Sequence, residues 1–172
     1  MNIIHINKAD VANGIGVRVS VFVSGCEHHC RGCFNSQAWN FENGFAYSEE
    51  KRNMILTYMS RLWVDGITIM GGEPLEPRNQ KDVLDLITAV KATHPNKSVW
   101  LYTGFVLEDL INGKSRAQTE YLDDILNKVD VLVDGPFVES LRDPSLRFRG
   151  SSNQRIIDLP KTLAISAIVE KV

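Results

Sequence analysis

Three cysteines, the only ones in the chain, lie within eight residues: Cys26-Glu27-His28-His29-Cys30-Arg31-Gly32-Cys33. Their spacing is C-x3-C-x2-C. Soft thiolates on so short a segment can wrap one face of a small metal centre, and thiolate chemistry favours iron–sulfur, zinc or copper(I). Structural zinc sites are closed by four ligands, often from two separated Cys-x2-Cys knuckles. No second knuckle exists here. A fully Cys-ligated 4Fe-4S cluster needs four thiolates. Cys26, Cys30 and Cys33 therefore point to a cubane with one iron open to a non-protein ligand. Two alternatives stand beside this: a Cys3His zinc site completed by His28 or His29, and unligated thiols in a core. The two histidines otherwise read as loop residues or as groups supporting the ligands. His5 and His94 stand at no spacing that suggests ligation.

A second candidate is Gly71-Gly72-Glu73-Pro74. Glycines let a backbone approach a ligand closely and bond it through N–H and C=O groups. Alone, the pair reads better as a tight turn between a strand and a helix.

Both motifs need elements to hold them. Val17, Val19, Val21 and Val23 alternate with Arg18, Ser20, Phe22 and Ser24, the period of a strand that Gly25 ends. Ser48 with Glu49 and Glu50 suits a helix start, and Met54, Ile55, Tyr58, Met59 and Leu62 recur at helical spacing. Gly66 breaks that pattern, and Ile67 to Met70 forms a short strand running into the Gly-Gly-Glu-Pro turn. A second helix fits Asn79 to His94, with Val83, Leu84, Leu86, Ile87 and Val90 inward and Pro95 as its stop. Val99 to Tyr102 is a strand closed by Thr103-Gly104. A helical stretch from Thr119 to Lys128 leads into a strand from Val129 to Val133, closed by Asp134-Gly135-Pro136. A polar run from Arg147 to Arg155 precedes Ile156-Ile157 and the apolar Leu163 to Val169. Strands alternating with helices predict parallel βα units on one core. Ligand sites in such folds lie at the C-terminal strand ends, where both motifs fall.

The chain has 172 residues, about one domain and short of the ~250 of a full eight-unit barrel. The expected fold is α/β: a single domain over residues 1–172 forming a partial (β/α) barrel of five or six units. Hydrophobic residues at 44% and charged residues at 23% fit a soluble globular protein. Nineteen Lys and Arg against 21 Asp and Glu give a net charge of −2, which excludes a strongly basic nucleic-acid binder and an acidic disordered tail. No stretch approaches the ~18 unbroken apolar residues of a membrane span. MNIIHINKAD at the N-terminus lacks the basic-then-apolar pattern of a secretory signal. An odd, clustered cysteine set is a poor disulfide framework. The expected compartment is the reducing cytoplasm, with no nucleic-acid or membrane partner.

With C-x3-C-x2-C after one strand and Gly-Gly-Glu after the next, the sequence resembles the radical S-adenosylmethionine (SAM) superfamily. Val23-Ser24-Gly25-Cys26, Gly32-Cys33-Phe34-Asn35, Leu101-Tyr102-Thr103-Gly104, Val131-Leu132-Val133-Asp134-Gly135 and Arg149-Gly150-Ser151-Ser152-Asn153-Gln154 narrow the match. They are similar to the anaerobic ribonucleoside-triphosphate reductase activating proteins, from Asn13-Gly14 to the Gln154 region. This resemblance implies a radical SAM type of partial barrel. It implies one 4Fe-4S cluster on Cys26, Cys30 and Cys33, with S-adenosyl-L-methionine on the open iron. Gly71, Gly72, Glu73 and Pro74 would position SAM, and Gly32, Cys33 and Phe34 would border it. The superfamily prefers an aromatic residue before the third cysteine; Gly32 stands there, which leaves Phe34 as the adenine neighbour.

The implied activity is that of an oxidoreductase. Flavodoxin or ferredoxin supplies one electron, and SAM is cleaved to methionine and a 5′-deoxyadenosyl radical. That radical takes a hydrogen atom from a glycine of the reductase large subunit. No side chain is assigned as acid, base or nucleophile, because cofactors carry such chemistry. Ile15 and Pro136 depart from the family pattern, at a turn proline and at a lysine. Arg147 and Arg149 are expected to meet the partner or the SAM carboxylate, against the plainer reading of a solvated basic loop. Trp39, Trp63 and Trp100 are expected as core or partner-facing anchors. Two other readings remain: a radical SAM enzyme for another glycyl-radical enzyme or a small molecule, and a non-enzymatic iron–sulfur or zinc module.

Overall fold

In the computed structural model, which describes residues 1–171, the strands are β1 (Asn2–Asp10), β2 (Arg18–Val23), β3 (Phe45–Ala46), β4 (Gly66–Gly71), β5 (Ser98–Tyr102), β6 (Val131–Asp134) and β7 (Arg155–Asp158). They form one sheet in the order β3-β1-β2-β4-β5-β6-β7. Strands β2, β4, β5 and β6 run parallel. The flanks do not: β1 is antiparallel to β2 and β3, and β7 is antiparallel to β6. The sheet is thus mixed, with four parallel strands rather than the five or six βα units expected. Hydrophobic alternation does not announce β1, because its pairing with β2 is broken by two register shifts that spoil a period of two.

Alternation does sort the two faces of the parallel strands. Val19, Val21, Val23, Ile67, Ile69, Val99, Leu101 and Leu132 share the main core. There they meet α1 (Glu49–Met59), α2 (Pro77–Thr93), α3 (Leu107–Ile111), α4 (Leu122–Leu126) and α5 (Leu159–Ile165), through residues such as Ile55, Val83, Leu110, Ile125 and Leu159. The opposite face carries a smaller cluster of Trp100, Val131, Val133 and Ile156, with Tyr102 and Phe148 against it. Among the described residues no helix is long and apolar enough to cross a membrane.

Arg18 and Ser20, in the polar register of β2, are fully buried. Arg18 donates Nε to Thr68 Oγ1 at 2.6 Å and Nη1 to Ile15 O and Ser98 Oγ at 3.1 and 3.0 Å. Its Nη2 donates to Ile67 O and Ser98 O at 2.6 and 3.0 Å. Five bonds satisfy all five guanidinium N–H groups, which is what makes a buried arginine tolerable. Burial lowers its pKa to about 10. Gly14 and Gly66 leave it room, since a Cβ would lie 2.6 Å from Arg18 Cδ at the first and 2.7 Å from Nη2 at the second. Together with Trp100, 5.2 Å from the guanidinium, Arg18 fills the end where the parallel strands begin.

Helix boundaries follow local chemistry. Ser48 caps α1 by accepting from the Lys51 amide at 3.3 Å, with Glu49 and Glu50 in the first turn. That helix ends at Met59, so Leu62 lies beyond it and is wholly exposed rather than on its apolar stripe. Pro77 opens α2 at its first turn, before the expected Asn79, because the missing N–H costs nothing there.

Candidate metal centre and adjoining cavity

All three cysteines lie in the loop that follows β2, and all are free thiols. Gly25 starts that loop at φ +90°, where a Cβ would lie 2.2 Å from the Phe41 ring. His29 and Gly32 also adopt left-handed backbone, φ 48° and 73°, and the Cys33 amide donates to Cys30 O at 3.1 Å. These turns fold the loop back on itself. Cys26 is buried, while Cys30 and Cys33 are half-buried. Burial pushes the Cys26 thiol up to about 12, and amides of His28 and His29 directed at it pull the other way. Burial also raises Cys30, opposed by the Phe137 amide. Thiols so placed ionise only against a cationic centre.

Among the described residues no three His, Cys, Asp or Glu side chains are gathered as around a single ion. The histidines are otherwise engaged. His28 Nε2 lies 3.0 Å from Glu73 Oε2, and the His29 ring packs on Trp39 at 4.6 Å between centroids.

Glu73 is 1% exposed, and its carboxylate is fully used within the protein. Oε1 accepts from the Leu75 amide and Thr103 Oγ1, both at 2.9 Å. Oε2 accepts from the Gly104 amide at 2.7 Å and faces His28. One side chain thereby joins the turns after β4 and β5 to the cysteine loop. Backbone bonds do the same: the Gly72 amide donates to Val23 O at 2.7 Å, and the Glu73 amide to Gly25 O at 2.8 Å. Asn79 Nδ2 donates to both Ser24 O and Glu73 O. Gly71 at φ +115° and Gly72 pack so tightly that a Cβ would lie 2.7 Å from Val23 backbone and 2.6 Å from Gly25 O. Their need for glycine is therefore met first by neighbouring chain, and Pro74 is buried behind them.

A cavity of about 560 Å³ opens beside the cysteine loop, and Gly32, Cys33 and Phe34 line it together with Met70, Tyr102 and Arg149. Its size suits a small organic cofactor. The Gly-Gly-Glu-Pro turn reaches the lining only through its neighbour Met70. Phe34 stands at the edge, 87% exposed. Tyr102 donates its hydroxyl to Phe148 O at 2.8 Å and so ties the far wall to β5. Arg149 donates Nη1 to Gln154 O at 2.7 Å, yet its buried Nε meets no acceptor among the described residues. Arg147 is exposed and stacks on Phe148. Trp100 is core, Trp39 half-buried and Trp63 exposed.

Sequence reasoning missed His28, Thr103 and Gly104 as supports of Glu73. Thr103-Gly104 gave a usable signal, since it ends a parallel strand on the site side. Three thiols on one folded loop, with amides aimed at two of them and a cavity beside the third, fit a cluster that takes three thiolates.

The model of a 4Fe-4S single cluster domain matches residues 12–157. An anaerobic ribonucleoside-triphosphate reductase-activating protein of Escherichia coli (strain K12) is 39% identical over 156 residues, 90% of this chain and 96% of its own. Proteins of the same name from Salmonella typhi and Enterobacteria phage T4 are 40% and 38% identical, covering 84% and 91% of this chain and 90% and 93% of theirs. A cysteine loop built for a cluster, and a likeness that runs almost end to end, place the chain in the family of anaerobic ribonucleoside-triphosphate reductase-activating proteins.

Proposed function

We propose that this chain activates an anaerobic ribonucleoside-triphosphate reductase as a radical SAM enzyme, acting as one domain over residues 1–172. The observation that carries the reading is the cavity shared by Cys33, Met70, Tyr102 and Arg149 at the C-terminal strand ends. Cys26, Cys30 and Cys33 would hold a 4Fe-4S cluster. Bound there with SAM, the cluster would supply reductive cleavage of the sulfonium and thereby hydrogen abstraction from a glycine of the reductase.

The chain's own residues orient and enclose. Glu73 is a positioning residue: it holds His28, Thr103 and Gly104, and thereby fixes the loop that carries the thiols. Its carboxylate is spent and the Gly72 amide is bonded to Val23 O, so only carbonyls of the turn, behind Met70 at the cavity wall, would remain for the SAM amino group. Arg149 lines the cavity, its buried Nε meets no acceptor among the described residues, and its guanidinium suits the SAM carboxylate. Gly32 and Phe34 line the cavity and would border the cofactor, with the exposed Phe34 ring as the adenine neighbour. Flavodoxin or ferredoxin would deliver the electron in the cytoplasm. The partial barrel of the radical SAM type would leave the strand ends open to a protein substrate.

The test mixes the anaerobically reconstituted, reduced chain with SAM and the anaerobic reductase of its own organism. A glycyl-radical EPR doublet on the reductase is the expected result. Deoxyadenosine formed without that doublet would assign a different substrate. Stoichiometric zinc, with no SAM-dependent change in the EPR spectrum, would overturn the radical reading. A Cys30→Ala chain should cleave no SAM.

A further inference from the structure

Glu76 is the N-cap residue of α2, yet its side chain makes no bond to that helix. It is 2% exposed and turns to the cysteine loop. Oε1 accepts from the Glu27 amide at 2.9 Å and from Arg116 Nη2 at 2.6 Å. Arg116 Nε lies 3.4 Å from Oε2 and 3.6 Å from the Glu27 carboxylate. The guanidinium covers the Phe105 ring at 4.6 Å, and Phe105 meets His28 edge-on at 4.5 Å. From α2, Gln80 Nε2 donates to Ala117 O at 2.6 Å and pins the segment that carries Arg116. Glu27 stands directly between the first cysteine and His28.

Glu76 is buried but Arg116 is 38% exposed, and an ion pair screened by solvent on one side contributes little to stability. Stability alone therefore gives little reason to keep Glu76 and Arg116 here. Placement beside the thiols gives one, because the potential of an iron–sulfur cluster responds to local charge and to hydrogen bonding at its ligands.

We propose that Glu76 and Arg116 are positioning residues for the metal centre: they hold the Glu27 amide, fix the Cys26–Cys30 arm of the loop, and bias its redox potential in opposite directions. A carboxylate beside the centre disfavours an added electron, and a guanidinium favours it. This inference rests on the reading that the three cysteines hold a 4Fe-4S cluster.

The experiment uses the full chain, reconstituted anaerobically, as wild type, Glu76→Gln, Arg116→Gln, the double variant and Glu76→Ala. Iron and sulfide per chain, and the midpoint potential from an EPR-monitored redox titration, are the readouts. Glu76→Gln keeps a carbonyl for the Glu27 amide and removes the charge, so its potential should move positive. Arg116→Gln should move it negative, and the double variant should return towards wild type. Glu76→Ala, folded by circular dichroism, should lose its cluster several-fold faster, with Glu76→Gln restoring retention. Equal potentials in the two Gln variants, or shifts of the same sign, together with unchanged retention in Glu76→Ala, would overturn the inference. Failure of the wild type to take up a 4Fe-4S cluster would instead overturn the reading beneath it.

Discussion

His28 Nε2 lies 3.0 Å from Glu73 Oε2, so the loop bearing the cysteines and the Gly-Gly-Glu turn are joined through their own side chains. A carboxylate is required there because it presents acceptors only. Glu73→Gln would aim an NH2 group at the Gly104 amide or the Thr103 hydroxyl. Leaving such a buried donor unpaired costs about 2 kcal/mol. Thermal melting should show that loss, and iron retention after reconstitution should fall with it.

Gly72→Ala is expected to cost about 3 kcal/mol, at the upper end for overpacking, since its Cβ would lie 2.6 Å from Gly25 O and 3.0 Å from Ala38 O. Gly113 has nothing within 4 Å, and its φ of +68° leaves only backbone strain. Gly113→Ala should therefore cost about 1 kcal/mol. Denaturant midpoints of the two variants check the ordering. A SAM affinity lowered in Gly72→Ala alone would tie the loss to the site.

Arg149→Gln should weaken SAM binding to the reconstituted chain about tenfold, equivalent to ~1.4 kcal/mol. Equilibrium binding measures it. Unchanged affinity would reduce Arg149 to a brace for the Gln154 carbonyl, which its Nη1 already bonds.

Acid sensitivity has an assigned source at the far edge of the sheet. Arg155 bonds Glu108 at 2.8 and 2.7 Å through two nitrogens, and this holds the carboxyl at about 2, against an ordinary value of 4.5. A lowered folded-state pKa contributes stability above the ordinary value, and that contribution is lost as pH falls from 4.5 through about 2. Glu108→Gln should lack this contribution at neutral pH and show a shallower acid limb in melts taken between those values. An unchanged limb would show that solvent screening at this half-exposed pair cancels the effect.

What could be read from the chain beforehand was chiefly local. Ser48 capping, the stripe of α2, and two motifs each placed after a strand all follow from neighbours within one turn or one pleat. What could not be read depended on distant partners. Glu73 is bonded by residues 45 positions before it and 30 and 31 after it, so its role as a fastener has no signature of spacing. Arg18 sits in a polar register and pattern alone puts it in water; only Thr68 and Ser98, 50 and 80 residues away, make its burial possible. Register shifts hid β1, and β7 is only four residues long.

The buried Arg18–Trp100 pair has a kinetic consequence for the proposed reaction. The pair fills the strand-start end of the sheet, away from Cys33, Met70 and Tyr102, which line the cavity at the strand ends. In the proposed reaction, a protein partner seated over that cavity would block the exit of the small products. Under the proposed reaction, release would then be sequential: the partner would leave first, methionine and deoxyadenosine would follow, and each turnover would be gated by undocking.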